Sequence, residues 1–443
     1  MLDLVPVALV TKNIILLTID ALRADHVSWH GYDRDTTPFL DEFSDRSTVF
    51  EAAYSASSHT REALPALLTG RYPAEAVRDG FTRGAETIPM LLPDEYATAA
   101  FHLNPYVSRA YGYDEGFDTF YDDLHLGQNK LLALVQRALD KFVLNRGEYH
   151  ARAEEINRRS LSWLSSLSDS EPFFLWNHYM DVHGPYNPPE GYAEWSEQVS
   201  NAEAHRLYDT LSGDESPSDE DKELAENLYD GEIRYVDSQL KRFVDELANL
   251  GFLDESLILI TSDHGDLFGK YGKFAHPRYV YPELTRVPLL VSGTNIASPT
   301  ISAPGSTLDV VPTALYGANS LETELQGHPL QEADQLYEDR LVFSSATGEE
   351  SDNGIHRFAV QTSDRGVRLG RYKEADDITE EAYYLLPSGE EVEKDGDFEF
   401  QSLRSKLIEH TERYLRRGSP MAGEEDAPVN GEFEERLEAL GYR

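Results

Sequence analysis

The chain has 443 residues, 40% of them hydrophobic, which is enough for a large core in one big domain with a smaller one beside it. Its 39 basic and 80 acidic side chains give a formal net charge of -41, which excludes nucleic acid and anionic membrane surfaces as partners. The absence of cysteine excludes disulfides, thiolate zinc sites and cysteine nucleophiles.

Self-repulsion of this size destabilises a compact state in dilute buffer and is screened when the Debye length falls to roughly 3 Å at molar salt. The charge therefore predicts a cytoplasmic protein of a high-salt cell. The start, Met1 to Val10, is apolar but holds Asp3 and Pro6 and has no basic leader. No later run approaches ~18 apolar residues, so neither a signal peptide nor a membrane span is expected.

In chain order, Asn13 to Ile19 is an apolar, β-branched run that opens into the polar stretch Asp20 to Asp25. This pattern predicts a buried strand whose carboxyl end feeds a functional loop. Ser58-His59-Thr60-Arg61 precedes a helical stretch, Ala63 to Leu68, that stops at Thr69-Gly70. Pro65 places the regular start of that helix near itself, leaving Thr60 in the approach. An apolar run followed by polar residues recurs at Ala97 to Asn104, Phe173 to His183 and Ser256 to Asp266, with a further strand expected at Val287 to Val291. Residues 122 to 160 are expected at the pocket rim, and residues 200 to 222 read as a solvated insertion. Leu224 to Leu250 carries Leu228, Val236, Leu240, Phe243 and Leu247 on one helical face and ends at Gly251.

After about Gly327 the chain changes to short alternating segments at Leu341 to Ser345, Phe358 to Thr362 and Tyr383 to Leu386, then a helix from Gln401 to Arg416. Gly418 to Asn430 reads as a linker to a last short helix. The fold class is therefore α/β, a mostly parallel sheet flanked by helices over residues 1–330, with a smaller α+β domain over 331–443. Ligands of such sheets sit outside the carboxyl ends of the strands, where every polar cluster falls.

Asp20 closes the first strand, and Asp263 with His264 closes another. Alone, an Asp-His pair after a strand serves as a loop hydrogen-bonding device, and a hydroxyl before a helix serves as an N-cap. Where several such strand ends converge, Asp20, Asp263 and His264 suit a divalent cation such as Mn, Mg or Zn. Thr60, at a helix start that favours an anion, becomes a nucleophile once metal-bound. His178-Tyr179-Met180-Asp181-Val182-His183-Gly184-Pro185-Tyr186 adds two imidazoles and a carboxylate within six positions. His183 and His276 are assigned to the ester oxyanion or to the leaving group, and Arg23, Arg61 and Asp181 to the substrate. A two-metal variant would use Asp181, His183 and His276 for a second ion; the bland reading of His276 is a surface histidine.

These motifs resemble the sulfatase family of the alkaline-phosphatase superfamily, here with a haloarchaeal-like surplus of acid. The resemblance rests on Ile19 to Asp25, Gly31-Tyr32, Thr36-Thr37-Pro38, Leu67 to Pro73, Gly116-Phe117-Asp118, Asp181 to Tyr186, Ser262 to Gly265, Arg286-Val287-Pro288 and Glu434 to Tyr442, in the family's order. It implies a large α/β domain and a small C-terminal domain with a four-stranded antiparallel sheet and a helix. It also implies that His183 contacts the substrate anion, while His276 matches a histidine found in a subset of members.

Two positions depart from the sulfatase pattern. Thr60 stands where sulfatases carry Cys or Ser in Cys/Ser-x-Pro-x-Arg, with Glu62 and Leu64 at the proline and arginine positions, and threonine cannot become formylglycine. Ala21 stands where formylglycine sulfatases have a second aspartate. The remaining set, Asp20, Thr60, Asp263 and His264, resembles the single-metal site of lipoteichoic acid synthases and phosphoethanolamine transferases, and implies one divalent ion, Mn, Zn or Mg more readily than Ca. The expected activity is hydrolysis of sulfuric or phosphoric esters on an anionic small molecule or glycan. The rivals are a phosphodiesterase or phospho-group transferase on the same fold, and a dead scaffold module.

Overall fold

The computed structural model describes residues 12–76, 85–122, 152–168, 170–213, 217–293, 296, 300–321, 325–336, 339–347, 355–372, 378–385, 391–393 and 398–416, with 110, 334, 372, 378–385, 391–393, 398–399 and 414–416 described by their backbone. The expected leader-free start, most of the expected rim (123–151), the linker and the last helix lie outside the described residues.

Eight strands form the main sheet: β1 (Asn13–Ile19), β2 (Thr48–Phe50), β3 (Ala97–Phe101), β4 (Thr119–Tyr121), β5 (Phe173–Tyr179), β6 (Ser256–Ser262), β7 (Leu289–Ser292) and β8 (Thr300–Ile301). Their order is β8-β2-β7-β6-β1-β5-β3-β4. Strands β6, β1, β5, β3 and β4 run parallel, and β7 is antiparallel to both neighbours. The helices used below are α1 (Pro38–Ser44), α2 (Thr60–Thr69), α3 (Ala153–Leu164), α4 (Asn201–Ser212), α5 (Asp219–Asn249), α6 (Val310–Gly317) and α7 (Phe398–Arg416).

Side chains of β1 alternate between the two faces, and both faces are covered, which is why the strand reads as one unbroken apolar run. Ile14 and Leu16 pack with Leu64, Leu67 and Leu68 of α2 and with Val311, Ala314 and Leu315 of α6. Ile15, Leu17 and Ile19 pack on the other face with Leu228, Tyr229, Ile233, Val236 and Leu240 of α5. Each such buried aliphatic side chain contributes about 1.5–3 kcal/mol of transfer free energy. The same packing fixes the heights of α2 and α5 relative to the end of β1.

Four expectations are corrected. Helix α2 already begins at Thr60, with Pro65 inside it. Proline removes a single backbone bond there, and the apolar face of α2 outweighs that loss. Residues 200 to 222 are not a solvated insertion: Ser200 and Glu203 form a capping box that opens α4, which buries Ala204, Leu207, Tyr208 and Leu211. Helix α5 likewise begins at Asp219, on a capping box of Ser218 and Asp221, five residues before the apolar periodicity shows it. The smaller sheet has five strands, Val342–Thr347, Ile355–Gln361, Arg365–Tyr372, Ile378–Leu385 and Glu391–Glu393, all antiparallel.

Helix α7 packs Phe400, Leu403 and Leu407 on Phe358, Val360, Val367 and Leu369 of that sheet. The small sheet docks beside the approach to α2. Ser345 N donates to Ala56 O at 2.9 Å, Ser344 Oγ to Ser55 O at 2.6 Å and Tyr54 Oη to Thr362 O at 2.9 Å.

Candidate metal centre and anion site

In the sheet register Ile19 faces Ser262 on one side and Tyr179 on the other, so the residues that follow emerge together. Asp20 and Asp263 are therefore neighbours at the carboxyl ends of two adjacent parallel strands. Asp20 N continues the ladder by donating to Tyr179 O at 2.8 Å. Ala21 then turns the chain with φ 60, a left-handed conformation that costs a non-glycine residue about 1–2 kcal/mol. Tyr229 Oη holds the turn by donating to Ala21 O at 2.7 Å, and Ala21 N donates to Asp263 Oδ1 at 3.3 Å.

Each carboxylate has one oxygen occupied and one left over. Asp20 Oδ2 accepts from Asn104 Nδ2 at 2.9 Å and pairs with His178 Nε2 at 3.2 Å. Asp263 Oδ1 accepts from His264 N at 3.0 Å as well as from Ala21 N. Asp20 Oδ1 and Asp263 Oδ2 are buried without a hydrogen-bond partner. With His264 they form a group whose ligand atoms all lie within 4.8 Å of one another.

His264 Nδ1 donates to Gly265 O at 2.9 Å, so Nε2 turns its lone pair to this group. Thr60 Oγ1 stands 2.9 Å from that nitrogen. Asp20, Thr60, Asp263 and His264 are all 0% exposed, so two carboxylates are buried together, with His264 Nε2 3.7 Å from the free oxygen of Asp20 and 3.5 Å from that of Asp263 and neither oxygen bonded to Lys or Arg. That arrangement is costly unless a cation neutralises it. Burial, and then the charge of Asp20, pushes the Asp263 carboxyl above its ordinary value. Burial works against protonation of His264, yet the carboxylates of Asp263 and Asp20 raise its pKa.

Thr60 is the first residue of α2, and the side chain of His59 caps the helix, its Nδ1 accepting from Arg61 N at 3.2 Å. His276 lies among the other imidazoles, its ring 4.7 Å from that of His264, 4.8 Å from His183 and 5.4 Å from His59. Burial, then the neighbouring His264 and His183, hold His276 well below the usual imidazole range. His183 Nδ1 donates to Gly184 O at 2.7 Å, which directs its Nε2 toward the cluster. His276 is buried, so the surface reading of it is corrected.

Two residues assigned to substrate are engaged elsewhere. Arg23 forks onto Asp25 at 2.8 and 2.6 Å and donates to Asp266 O at 3.2 Å, bracing the turn beneath Gly265. Asp181 Oδ2 accepts from Ala153 N at 3.0 Å, and Arg152 lies 3.5 Å from Oδ1, so this carboxylate anchors the start of α3. A second-ion set of Asp181, His183 and His276 is not assembled among the described residues. Arg61 fits its assignment better: it is partly exposed, lies over the Tyr106 ring at 5.3 Å, and forms no ion pair among the described residues.

Asn104, His59 and Arg278 join the site without a role expected from the sequence, and His178, expected only as one of two imidazoles in its segment, gains a partner. His178 lies opposite Thr18 in the β1–β5 register, one step before Asp20, and that pairing is invisible until the strand order is known. Arg278 pairs with the buried Glu62 of α2 and donates to Thr347 O at 3.2 Å, tying the His276 loop to the helix and to the small sheet.

The sequence model of the sulfatase family matches residues 12–320. The chain belongs to the sulfatase family. An arylsulfatase of Clostridium perfringens is 23% identical over 334 residues, 63% of this chain and 68% of the relative. Lipoteichoic acid synthase 2 of Bacillus subtilis is 22% identical, and the alignment covers 69% of this chain but only 44% of that protein. The fold is shared with a phosphonate monoester hydrolase of Silicibacter pomeroyi at a TM-score of 0.69 and 17% identity, over 92% of this chain and 96% of that one. As a sulfatase-family member the chain is an ester hydrolase of the alkaline-phosphatase-like superfamily. No helix among the described residues is long and apolar enough to cross a membrane.

Proposed function

We propose that this sulfatase-family protein is a metal-dependent hydrolase of sulfuric or phosphoric esters in which Thr60 is the nucleophile. The observation that carries the reading is the 2.9 Å contact of Thr60 Oγ1 with His264 Nε2, beside the unpartnered oxygens of Asp20 and Asp263. Two carboxylate oxygens, a hydroxyl and an imidazole nitrogen suit one divalent cation, Mn, Zn or Mg in preference to Ca. Such an ion supplies neutralisation of the two carboxylates and a lowered pKa for a coordinated hydroxyl.

Around it, the protein's own groups divide the work. Thr60 presents its oxygen at the amino end of α2, where backbone amides and the helix dipole favour an anionic ester. It attacks sulfur or phosphorus, the ester oxygen leaves, and the bond to Thr60 is then broken by water or by an acceptor hydroxyl. His183 Nε2 and His276 move protons at the leaving oxygen and at the attacking water. Arg61, partly exposed beside Thr60, draws the anion in.

The relatives bracket the substrate: one is an arylsulfatase, one a lipoteichoic acid synthase, one a phosphonate monoester hydrolase. The substrate proposed is an anionic small-molecule or glycan ester. A second reading, a phosphodiesterase or phospho-group transferase, is favoured by Thr60 itself, which stands where the family's formylglycine precursor is expected. Residues 1–330 form the catalytic domain and 331–443 the smaller one in this proposal, in a high-salt cytoplasm.

The deciding experiment is turnover of an aryl sulfate, an aryl phosphate monoester and a bis-aryl phosphate by the purified protein in molar KCl with Mn. Dominant sulfate turnover supports the first reading, and dominant diester turnover the second. No turnover of any of them, with no metal retained on dialysis, would support the scaffold.

A further inference from the structure

A sulfuryl or phosphoryl group offers only acceptor oxygens, so the centre must supply donors. The hydrogen bonds around it fix which imidazoles can donate. Both His183 and His264 spend the proton of Nδ1 on a backbone carbonyl, Gly184 O at 2.7 Å and Gly265 O at 2.9 Å, so in the neutral ring Nε2 is an acceptor. His59 is wired in the opposite sense. Its Nδ1 accepts the Arg61 amide at 3.2 Å as the N-cap of α2, so while the cap is formed the ring proton sits on Nε2. That nitrogen has no hydrogen-bond partner among the described residues. The ring stands next to Thr60 in the chain, 6.4 Å from the His264 ring and 5.4 Å from that of His276, and is partly exposed while Thr60 is not.

We infer that His59 is a catalytic residue: its Nε2–H donates to a non-bridging oxygen of the sulfuryl or phosphoryl group during attack by Thr60, the helix cap holding the donor in place before substrate arrives. This rests on the nucleophile reading above, and no covalent change occurs at His59. One residue thus joins two tasks, ending a helix and completing an anion cradle.

The cap and the donor can be separated by substitution. His59→Ala removes both, whereas His59→Ser restores an oxygen that caps the helix and leaves the donor missing. Aryl ester turnover is measured for both variants, with a series of leaving groups of different pKa, alongside thermal melting. The expected result is a fall in kcat of about 10²–10³-fold in both variants, of the same size for every leaving group, with melting temperature recovered in His59→Ser. Recovery of kcat in His59→Ser would reduce His59 to a helix cap and overturn the inference. A fall that steepens with leaving-group pKa would overturn it too, by making His59 a leaving-group acid. Thr60→Ala in the same assay separates the two claims: if it stays active the nucleophile reading fails, whatever the His59 variants do.

Discussion

Thr60 Oγ1 and His264 Nε2 meet at 2.9 Å although 204 positions separate them in the chain. One comes from the first turn of a helix and the other from the turn after a strand, and β1 with its two packed faces sets the distance between them. Thr60→Ala is expected to lower kcat at least 10³-fold while metal content after dialysis is retained, because three ligands remain. Asp263→Ala is expected to lose both. Full activity in Thr60→Ala together with loss in Asp263→Ala would assign attack to a bound water.

His178 and Asn104 reach the same oxygen of Asp20, which turns the other oxygen toward the centre. Trp176 Nε1 donates to Thr18 Oγ1 at 2.9 Å, and the hydroxyl of Thr18 then faces His178 Nδ1 at 2.9 Å, which leaves Nε2 as the donor to Asp20. Outer groups of this kind are worth 10–100-fold in metal affinity. His178→Ala and Asn104→Ala should each weaken Mn binding by about that factor with the fold intact, as titration calorimetry and circular dichroism would read. Unchanged affinity in both would mean that Asp20 needs no orienting partner.

Asp20, Asp263 and His264 were legible as candidates in the sequence because they close apolar strand runs, and Thr60 because it stands just ahead of an apolar helical run. The small sheet was less legible. Its strand Arg365–Tyr372 carries arginine at 365, 368 and 371 and glycine at 366 and 370, a composition that hides the alternation of strands. Asp181 misled for a different reason. A carboxylate two residues from His183 looks like part of the site, but successive residues of a turn point in different directions, and its oxygens are used by Ala153 and Arg152. The capping boxes of α4 and α5 were present in the sequence, since Ser200/Glu203 and Ser218/Asp221 both have the right spacing, but the run of Ser, Asp and Glu between them obscured them.

Gly265 follows the ligand His264 and lies tight against the turn before β7. A Cβ there would stand 2.0 Å from Glu283 O and 2.9 Å from Arg23 Cγ, and the first of these is backbone. Gly265→Ala must therefore displace either His264 or the turn at 282–285. The expected outcome is weaker metal retention and a melting temperature lower by several degrees, corresponding to about 1–3 kcal/mol. Gly191, where a Cβ meets nothing within 4 Å, provides the comparison only for space, because its φ of +93 adds strain.

Arg152 serves two buried carboxylates, at 2.6 Å from Glu232 and 3.5 Å from Asp181. Burial, against the pull of Arg152 and with added repulsion from Asp181, pushes Glu232 up to about 7. Asp181 is raised to about 6, again by burial. The folded protein thus keeps protons that the unfolded chain gives up near pH 4, so stability falls as pH rises from about 4 to about 7 through these groups. Glu232→Gln should flatten that slope in urea midpoints taken between pH 4.5 and 7.5. An unaltered slope would show that Glu232 ionises normally in the fold.

The net charge of -41 leads to a prediction about the whole chain. Among the described residues exposed carboxylates such as Glu220 and Glu223 of α5 form no ion pair, whereas Asp219 beside them pairs with Lys222 at 2.8 Å. Their mutual repulsion extends about 10 Å at 0.1 M salt and about 3 Å at 1 M. The buried pairs Arg278–Glu62 and Arg340–Asp309 are shielded from salt by burial, so they neither gain nor lose much across that range. Melting temperature should therefore rise steadily from dilute buffer to molar KCl, with NaCl acting similarly at equal ionic strength. A flat response would mean that local pairing already offsets the acidic surplus, and the expectation of a high-salt cytoplasm would lose its physical basis.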